Sequence, residues 1–252
     1  MTDVAISIKD VYKKFKIYHE KRNSVYESIA GFFNKNKYYE DLNVLDGISV
    51  DIKKGEMFGI LGRNGIGKTT LLRLIAGIYK PNAGSITVNG TLIPFLGLGT
   101  GFNVELTARD NVIIYGKLLG FSKNEIENRV KKIIEFAELE KFADTKLKNF
   151  SSGMYARLAF ATAVQVDPDI ILMDEVLSVG DIGFQKKCHD TFMSFKEREK
   201  TIVLVTHDLK IVLDNCTRAM FLNEGKIVAI GKPQEIIDKY TEFFAKNSTE
   251  TK

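Results

Sequence analysis

The stretch that decides the fold is MFGILGRNGIGKTTLLRLIAGI, residues 57–78. It opens with five apolar residues, which predict a buried strand, and it closes with a helical pattern over 70–78. Between the two, residues 62–69 match G-x-x-x-x-G-K-[ST], the pattern of a loop that binds phosphate groups. The glycines let successive backbone N–H groups point at phosphate oxygens, and the following helix adds its positive N-terminal dipole. We therefore expect a nucleotide at this point of the chain.

The residues of this loop are expected to contact different parts of the nucleotide and its metal ion. Lys68 is expected to meet the β- and γ-phosphates, and the Thr69 hydroxyl is expected to ligate Mg²⁺. The residues predicted to contact the nucleotide are Gly62, Arg63, Asn64, Gly65, Ile66, Gly67, Lys68, Thr69 and Thr70. The alternative, a glycine turn that merely precedes a helix, requires Lys and Thr to follow by coincidence.

Two further segments place polar side chains at the ends of predicted strands. The run IILMDE, residues 170–175, ends in two acids, as expected of a buried strand that delivers carboxylates to the edge of a sheet beside the phosphate loop. We expect Asp174 to hold the metal and Glu175 to polarise the attacking water as a catalytic base. His207 follows the run 201–206 and could reach a γ-phosphate. The simpler alternatives are solvated acids that cap a helix and an ordinary hydrogen-bonding histidine.

Short β-branched runs alternate with longer helical patterns, which indicates a layered α/β domain. The runs predicted as strands are 4–8, 48–52, 57–61, 170–173 and 201–205. Residues 107–166 contain no convincing strand, and Ser122 with Glu125 forms a capping box before a helix. We therefore expect a helical subdomain inserted at about 102–166. A hairpin at 219–230, a helix after Pro233 and a polar tail at 246–252 complete the prediction.

The composition sets limits on location and partners. With 252 residues, 44% of them apolar, the chain can form one large domain, and its net charge of +4 is too small to mark a nucleic-acid binder. Cys188 and Cys216 have no further cysteines to complete a metal site, which favours a reducing cytoplasm. No apolar run approaches the roughly 20 residues of a membrane-spanning helix. Any membrane role is expected to be peripheral.

The segment Phe-Ser-Ser-Gly-Met, residues 150–154, resembles the signature of ABC transporter ATPases, whose usual form is L-S-G-G-Q. The S-S-G-M-Y variant is similar to ATPase subunits that export polysaccharides and teichoic acids. We call residues 150–154 the signature segment. Ser151 and Gly153 would hold the γ-phosphate bound by a second subunit; the alternative is a simple helix cap. The resemblance also places Phe15 at the aromatic that stacks on adenine, with Tyr18 as a rival, and either could be a core residue.

The resemblance runs from residue 4 to about residue 240 and implies the fold class. It implies an α/β P-loop NTPase (RecA-like) core with an antiparallel β subdomain and an inserted α-helical subdomain, all within one domain at 1–245. It further implies that Lys68, Glu175 and His207 are catalytic, and that Thr69 and Asp174 hold Mg²⁺.

Two departures from the family pattern stand out. Most members carry a Gln between the phosphate loop and the signature segment that touches the metal shell and senses the membrane subunit. Here the glycine-rich loop 97–105, similar to that of the polysaccharide-exporting branch, takes its place. The second departure is an insertion at 16–43. Within it Val25, Ile29, Phe32 and Phe33 share one helical face with basic flanks, which indicates docking to a membrane surface or a partner, or packing on the chain's own domain.

The resemblance implies the ATP-hydrolysing subunit of an exporter that moves lipid-linked teichoic acid or a related polysaccharide across the cytoplasmic membrane. Its partners would be an integral membrane permease and a second ATPase subunit in a two-plus-two transporter, at the cytoplasmic face of the membrane. Because some O-antigen relatives add a C-terminal sugar-binding domain, the length favours teichoic acid or a capsule-like polymer. The alternatives are an O-antigen or capsular exporter, a soluble ABC ATPase without a transport role, and a binding module that does not hydrolyse ATP.

Overall fold

Two β-sheets organise the residues that the computed structural model describes, which are 3–18, 39–97, 99–165, 167–174 and 180–249. The strands are β1 (Val4–Tyr18), β2 (Tyr39–Lys53), β3 (Met57–Leu61), β4 (Ala83–Val88), β5 (Leu92–Phe95), β6 (Ile170–Asp174), β7 (Thr201–Val205), β8 (Arg218–Asn223) and β9 (Lys226–Gly231). The helices are α1 (Lys68–Ile75), α2 (Ala108–Leu118), α3 (Lys123–Ala137), α4 (Ser152–Val164), α5 (Ile182–Glu197), α6 (Leu209–Asn215) and α7 (Pro233–Thr249).

The larger sheet has the order β5-β6-β7-β3-β8-β9, with parallel pairing except between β8 and β9. Its central strands are apolar throughout because both faces are covered. In β6, Ile170 and Leu172 face the antiparallel sheet and α1, whereas Ile171 and Met173 face the helices on the other side. This parallel order brings the carboxyl ends of β3, β6 and β7 to one edge.

The smaller sheet is antiparallel, in the order β2-β1-β4, as the expected antiparallel subdomain requires. Strands β1 and β2 are each 15 residues long, much longer than the predicted runs 4–8 and 48–52. Residues 16–18 and 39–43, expected to belong to an insertion, instead pair as the ends of β1 and β2. Opposite charges lie across the extended part, since Lys16 is opposite Asp41 and Lys14 Nζ lies 3.3 Å from Asp41 Oδ2. The predicted amphipathic helix at 24–33 lies outside the described residues.

The helical subdomain forms where the sequence predicted it. Helices α2, α3 and α4 pack around a core of their own that includes Val112, Ile126 and Leu158. The expected capping box opens α3, because the Ser122 hydroxyl accepts from the Glu125 N–H while the Glu125 carboxylate accepts from the Ser122 N–H. This packing fixes the first turn of α4, which carries the signature segment.

The C-terminal part of the chain adds the last two strands of the larger sheet and a final helix. Strands β8 and β9 form the expected hairpin, and Gly225 has the positive φ of 73° that the turn needs. Helix α7 runs to Thr249, into the segment 246–252 that was predicted to be a polar tail, and residues 246–249 contain no Gly or Pro that would end a helix. None of the helices in the described ranges is long and apolar enough to cross a membrane.

Candidate nucleotide site

A cavity of about 450 Å³ opens at the carboxyl edge of the parallel sheet, where the loop 62–67 connects β3 to α1. Its lining residues are Asn64, Gly65, Gly67, Lys68, Thr69, Thr70 and Asp174. Gly67 is the N-cap of α1 with φ of 109°, and a Cβ there would lie 2.9 Å from the Val44 carbonyl oxygen. Only glycine allows the chain to turn into the helix so close to β2. The cavity therefore sits on a helix N-terminus, where backbone N–H groups favour phosphate.

Lys68 is the buried cation of this cavity, with 6% of its surface exposed. Its Nζ donates to the carbonyl oxygens of Gly62, at 2.6 Å, and Arg63, at 2.9 Å. These bonds curl the loop around the ammonium group and hold the charge close to the N-terminus of α1. The arrangement places a fixed positive charge beside the expected phosphate position.

Thr69 and Asp174 meet although they come from different elements. The Thr69 hydroxyl donates to Asp174 Oδ2 at 2.8 Å, across 105 positions of sequence. This contact joins the start of α1 to the end of β6 and puts two hard oxygen ligands together. Within the described part of the chain, no cluster of three or more His, Cys, Asp or Glu could hold a metal by itself. Glu175, the expected catalytic base, lies outside the described residues.

His207 is exposed just beyond the carboxyl end of β7. Strand β7 lies between β6, which ends in Asp174, and β3, which leads into the phosphate loop. The sheet order thus puts His207 at the same edge as the cavity, as expected, although His207 is not among the residues that line it.

Three of the predicted loop contacts are not among the residues that line the cavity. Gly62 packs under the Leu222 carbonyl, and Ile66 contacts the core between the two sheets. The guanidinium of Arg63 lies 5.7 Å from the ring centre of Phe244 on α7. These residues shape the loop or link it to the last helix; they do not line the cavity.

Phe15, the candidate adenine-stacking residue, also lies outside the cavity lining. Its ring contacts Tyr79 edge-on, with 5.5 Å between the ring centres, and Lys13 Nζ lies 4.9 Å from the centre of the Phe15 ring. Tyr79 follows α1 and was not predicted as part of a site. Its only sequence signal is an aromatic shortly after a phosphate-binding helix. No side-chain position is described for Tyr18.

The signature segment lines a second open cavity of about 560 Å³. The lining residues are Ser151, Ser152, Gly153, Met154, Ala156, Arg157, Gly180 and Asp181. Ser151 is the N-cap of α4, since its hydroxyl oxygen accepts from the Met154 N–H at 3.2 Å. This is the simple cap that the sequence left open as an alternative. A hydroxyl that accepts a bond still has its own proton to donate, so the cap does not exclude anion binding.

A charge network surrounds this second cavity. Arg157 Nη1 lies 3.4 Å from Glu138 and 3.7 Å from Asp181, and Lys187 pairs with the same Glu138. The hydrogen bond from the Phe184 N–H holds the pKa of Asp181 below its usual range. Asp181 is therefore an ionised N-cap of α5 at neutral pH. The two cavities share no lining residue among those described.

A sequence model of the ABC transporter family matches residues 45–178, which hold the phosphate loop, the signature segment and Asp174. The chain belongs to the ABC transporter family. Membership confirms the resemblance inferred from the motifs, and it implies that the chain binds ATP.

Three proteins that are similar to this ABC chain are named as ATP-binding proteins of export systems. It is 43% identical over 94% of its length to the O-antigen export system ATP-binding protein RfbB of Myxococcus xanthus, and it covers 56% of that relative. It is 38% identical over 95% of its length to RfbB of Klebsiella pneumoniae and covers 98% of it. It is 39% identical over 96% of its length to the teichoic acids export ATP-binding protein TagH of Bacillus anthracis and covers 43% of it. This chain thus spans about half the length of the Myxococcus and Bacillus relatives and nearly all of the Klebsiella relative.

The fold agrees with a solved ABC structure. The dimeric structure of MJ0796, described as a bacterial ABC transporter cassette, superposes with a TM-score of 0.68 at 25% identity, covering 90% of this chain and 98% of that one. The expected fold class, a P-loop NTPase core with antiparallel and helical subdomains, is confirmed.

Proposed function

We propose that the chain is the ATP-hydrolysing subunit of an ABC exporter for a lipid-linked cell-surface polymer. The observation that carries the proposal is the contact between Thr69 and Asp174 beside the phosphate loop. It brings together a phosphate-binding helix N-terminus and a carboxylate at a strand end, and phosphoryl transfer requires both. The names of the relatives, which are O-antigen and teichoic acids export proteins, support a cell-surface polysaccharide or teichoic acid as the substrate class.

The donor set fits Mg²⁺, which usually binds one or two protein oxygens together with phosphate oxygens and water. The Thr69 hydroxyl and the Asp174 carboxylate would hold the ion, which would neutralise charge on the β- and γ-phosphates. Lys68 would orient those phosphates, Glu175 would accept a proton from the attacking water, and His207 would contact the γ-phosphate from the end of β7.

A pair of subunits arranged head to tail would complete the site. In one chain, the cavity at the phosphate loop and the cavity at the signature segment are lined by different residues. A second copy could apply its Ser151 and Gly153 to the nucleotide held by the first. The similar MJ0796 cassette is dimeric, which supports a pair of chains.

The permease partner would dock on the helical subdomain beside the glycine-rich loop. Ile114 and Leu118 occupy one face of α2 and are 41% and 69% exposed. Leu118 also lies against Gly101 of the loop. Exposed apolar side chains beside a loop at the sheet edge suit a membrane-protein partner, which would keep the subunit at the cytoplasmic membrane face.

The insertion remains a candidate for a second contact with the permease or the membrane. Val25, Ile29, Phe32 and Phe33 are its expected apolar face, and the basic flanks would suit the phosphates of a lipid-linked substrate. Replacing Ile29 and Phe33 by Ser should reduce export while sparing ATP binding. Normal export by this double variant would exclude the contact.

Teichoic acid is the first candidate polymer and O-antigen the second. Chain length does not separate them, contrary to the expectation from sequence, because an O-antigen relative is covered to 98% and a teichoic acid relative to 43%. The separating experiment expresses the subunit with its own permease in strains that lack either teichoic acid export or O-antigen export. Rescue of only one strain identifies the polymer.

The test of hydrolysis is Glu175→Gln. ATP binding should persist while turnover falls by about 10²-fold or more, since the variant loses a general base. Glu140→Gln, at an exposed position away from both cavities, is the matched control. Turnover at the wild-type rate in Glu175→Gln would contradict the assignment.

A further inference from the structure

The glycine-rich loop 97–105 is anchored at its C-terminal end. It follows β5 and precedes α2, at the place where most family members carry the metal-sensing Gln. The Asn111 side chain accepts from the Asn103 N–H at 2.7 Å and donates to the Asn103 and Thr107 carbonyl oxygens at 2.9 and 2.8 Å. This half of the loop is therefore fixed to α2 of the helical subdomain.

The N-terminal half is anchored differently, by Tyr155 of α4. The Tyr155 hydroxyl donates to the Gly99 carbonyl oxygen at 2.8 Å. Gly99 has φ of +82°, and a Cβ built there would lie 2.4 Å from Cε1 of the Tyr155 ring. A side chain at position 99 would therefore push the ring away. Glycine is required here for the contact as well as for the backbone conformation.

Aromatic packing reinforces the same contact. Phe102 of the loop lies edge-on to Tyr155 and to Tyr115 of α2, with ring-centre distances of 5.5 and 5.2 Å. The Tyr155 hydroxyl is protonated at neutral pH, as in any tyrosine, and burial raises its pKa further. The loop is thus attached to α4 by a hydrogen bond and by ring packing.

The position of Tyr155 on α4 gives this attachment a consequence for the ATP site. Tyr155 lies one turn after Ser151, and its N–H donates to the Ser151 carbonyl oxygen at 3.0 Å. The residue that holds the loop therefore belongs to the same helical turn as the residues expected to face the partner's nucleotide. A displacement of the loop would move that turn directly.

We infer that Tyr155 is a positioning residue that couples the glycine-rich loop to the signature segment through its bond to Gly99. Contact of a permease with the loop would reorient Ser151 and Gly153, and closure of the ATP-bound pair would pull on the loop. The inference rests on the proposed function, because it needs a signature segment that works on a second subunit.

The test measures ATP-driven dimerisation by analytical ultracentrifugation in the Glu175→Gln background, where ATP is retained. Tyr155→Phe removes only the hydroxyl, and Gly99→Ala displaces the ring. Tyr155→Phe should weaken dimerisation by about two- to tenfold, as expected for one lost hydrogen bond, with monomer ATP affinity unchanged. The double variant should be little worse than Gly99→Ala alone, because both changes break one contact.

Two variants serve as matched controls. Tyr115→Phe removes a hydroxyl from the same aromatic cluster without touching Gly99. Gly101→Ala imposes the same kind of backbone strain, since φ is +101° there, but its Cβ would meet Leu118 at 3.6 Å and not Tyr155. The coupling would be overturned if Tyr155→Phe dimerised as strongly as its background. It would also be overturned if the losses from Tyr155→Phe and Gly99→Ala added in the double variant, or if Tyr115→Phe lost as much dimerisation as Tyr155→Phe. A background that never dimerises with ATP would instead overturn the paired site, and the coupling with it.

Discussion

At the scale of single residues, Lys68 is a buried positive charge that the loop holds beside the expected phosphate position. A buried ammonium group is unfavourable unless it is hydrogen-bonded, and here two loop carbonyls accept its protons. These two bonds hold the ammonium group beside the cavity. A phosphate group that enters the cavity could accept a charge-assisted hydrogen bond from it.

Replacing Lys68 by Ala should therefore weaken ATP binding by about tenfold or more, because a charge-assisted hydrogen bond to phosphate is lost. The measurement is the dissociation constant of ATP by calorimetry. Lys210→Ala, which removes an exposed lysine on α6, is the control. An unchanged dissociation constant in Lys68→Ala would mean that the nucleotide binds elsewhere.

The two cysteines make a prediction about pH. Burial raises the pKa of both Cys188 and Cys216 to about 12, so the native chain keeps thiol protons that the unfolded chain loses above about pH 8.5. This contribution to stability is complete below pH 8.5 and is lost progressively toward pH 12. Urea unfolding at pH 7 and pH 10 should show a smaller loss of stability for the Cys188→Ala, Cys216→Ala double variant than for the wild type. Identical losses would contradict the raised pKa values.

At the scale of elements, Asn111 determines the path of the glycine-rich loop into α2. It is 1% exposed, and its side chain satisfies backbone groups that water cannot reach. Asn111→Ala should lower the free energy of unfolding by about 2–4 kcal/mol, because several buried polar groups lose their partners. Asn89→Ala, which removes one exposed bond to the Val4 carbonyl, should cost less than about 1 kcal/mol. Urea unfolding measures both, and equal effects would exclude the anchoring role.

The elements also show what the sequence could predict. The phosphate loop, β6 and the capping box were predictable because each depends on residues close together in the chain. Strands β4 and β5 were missed because Gly84 and Pro94 interrupt them, and β5 tolerates Pro94 as an edge strand. The contact between Gly99 and Tyr155 joins residues 56 positions apart, and no local pattern reveals it.

At the scale of the whole molecule, each chain has a phosphate cavity and a signature cavity, with different elements lining each. The central claim is that these two half-sites meet between chains. A suitable pair of probes is Asn64 on the phosphate loop and Ser152 on α4, which are both exposed. The native Cys188 and Cys216 are buried and protonated, so they will not compete for a thiol reagent at neutral pH.

The most direct measurement mixes chains carrying Asn64→Cys with chains carrying Ser152→Cys, both in the Glu175→Gln background, and adds a short bismaleimide with ATP and Mg²⁺. The account predicts a covalent dimer that forms only in the mixture and only with ATP. Neither variant alone should cross-link, because in a head-to-tail dimer the two copies of the same probe are far apart. Cross-linking within one variant, or equal cross-linking without ATP, would contradict the composite site.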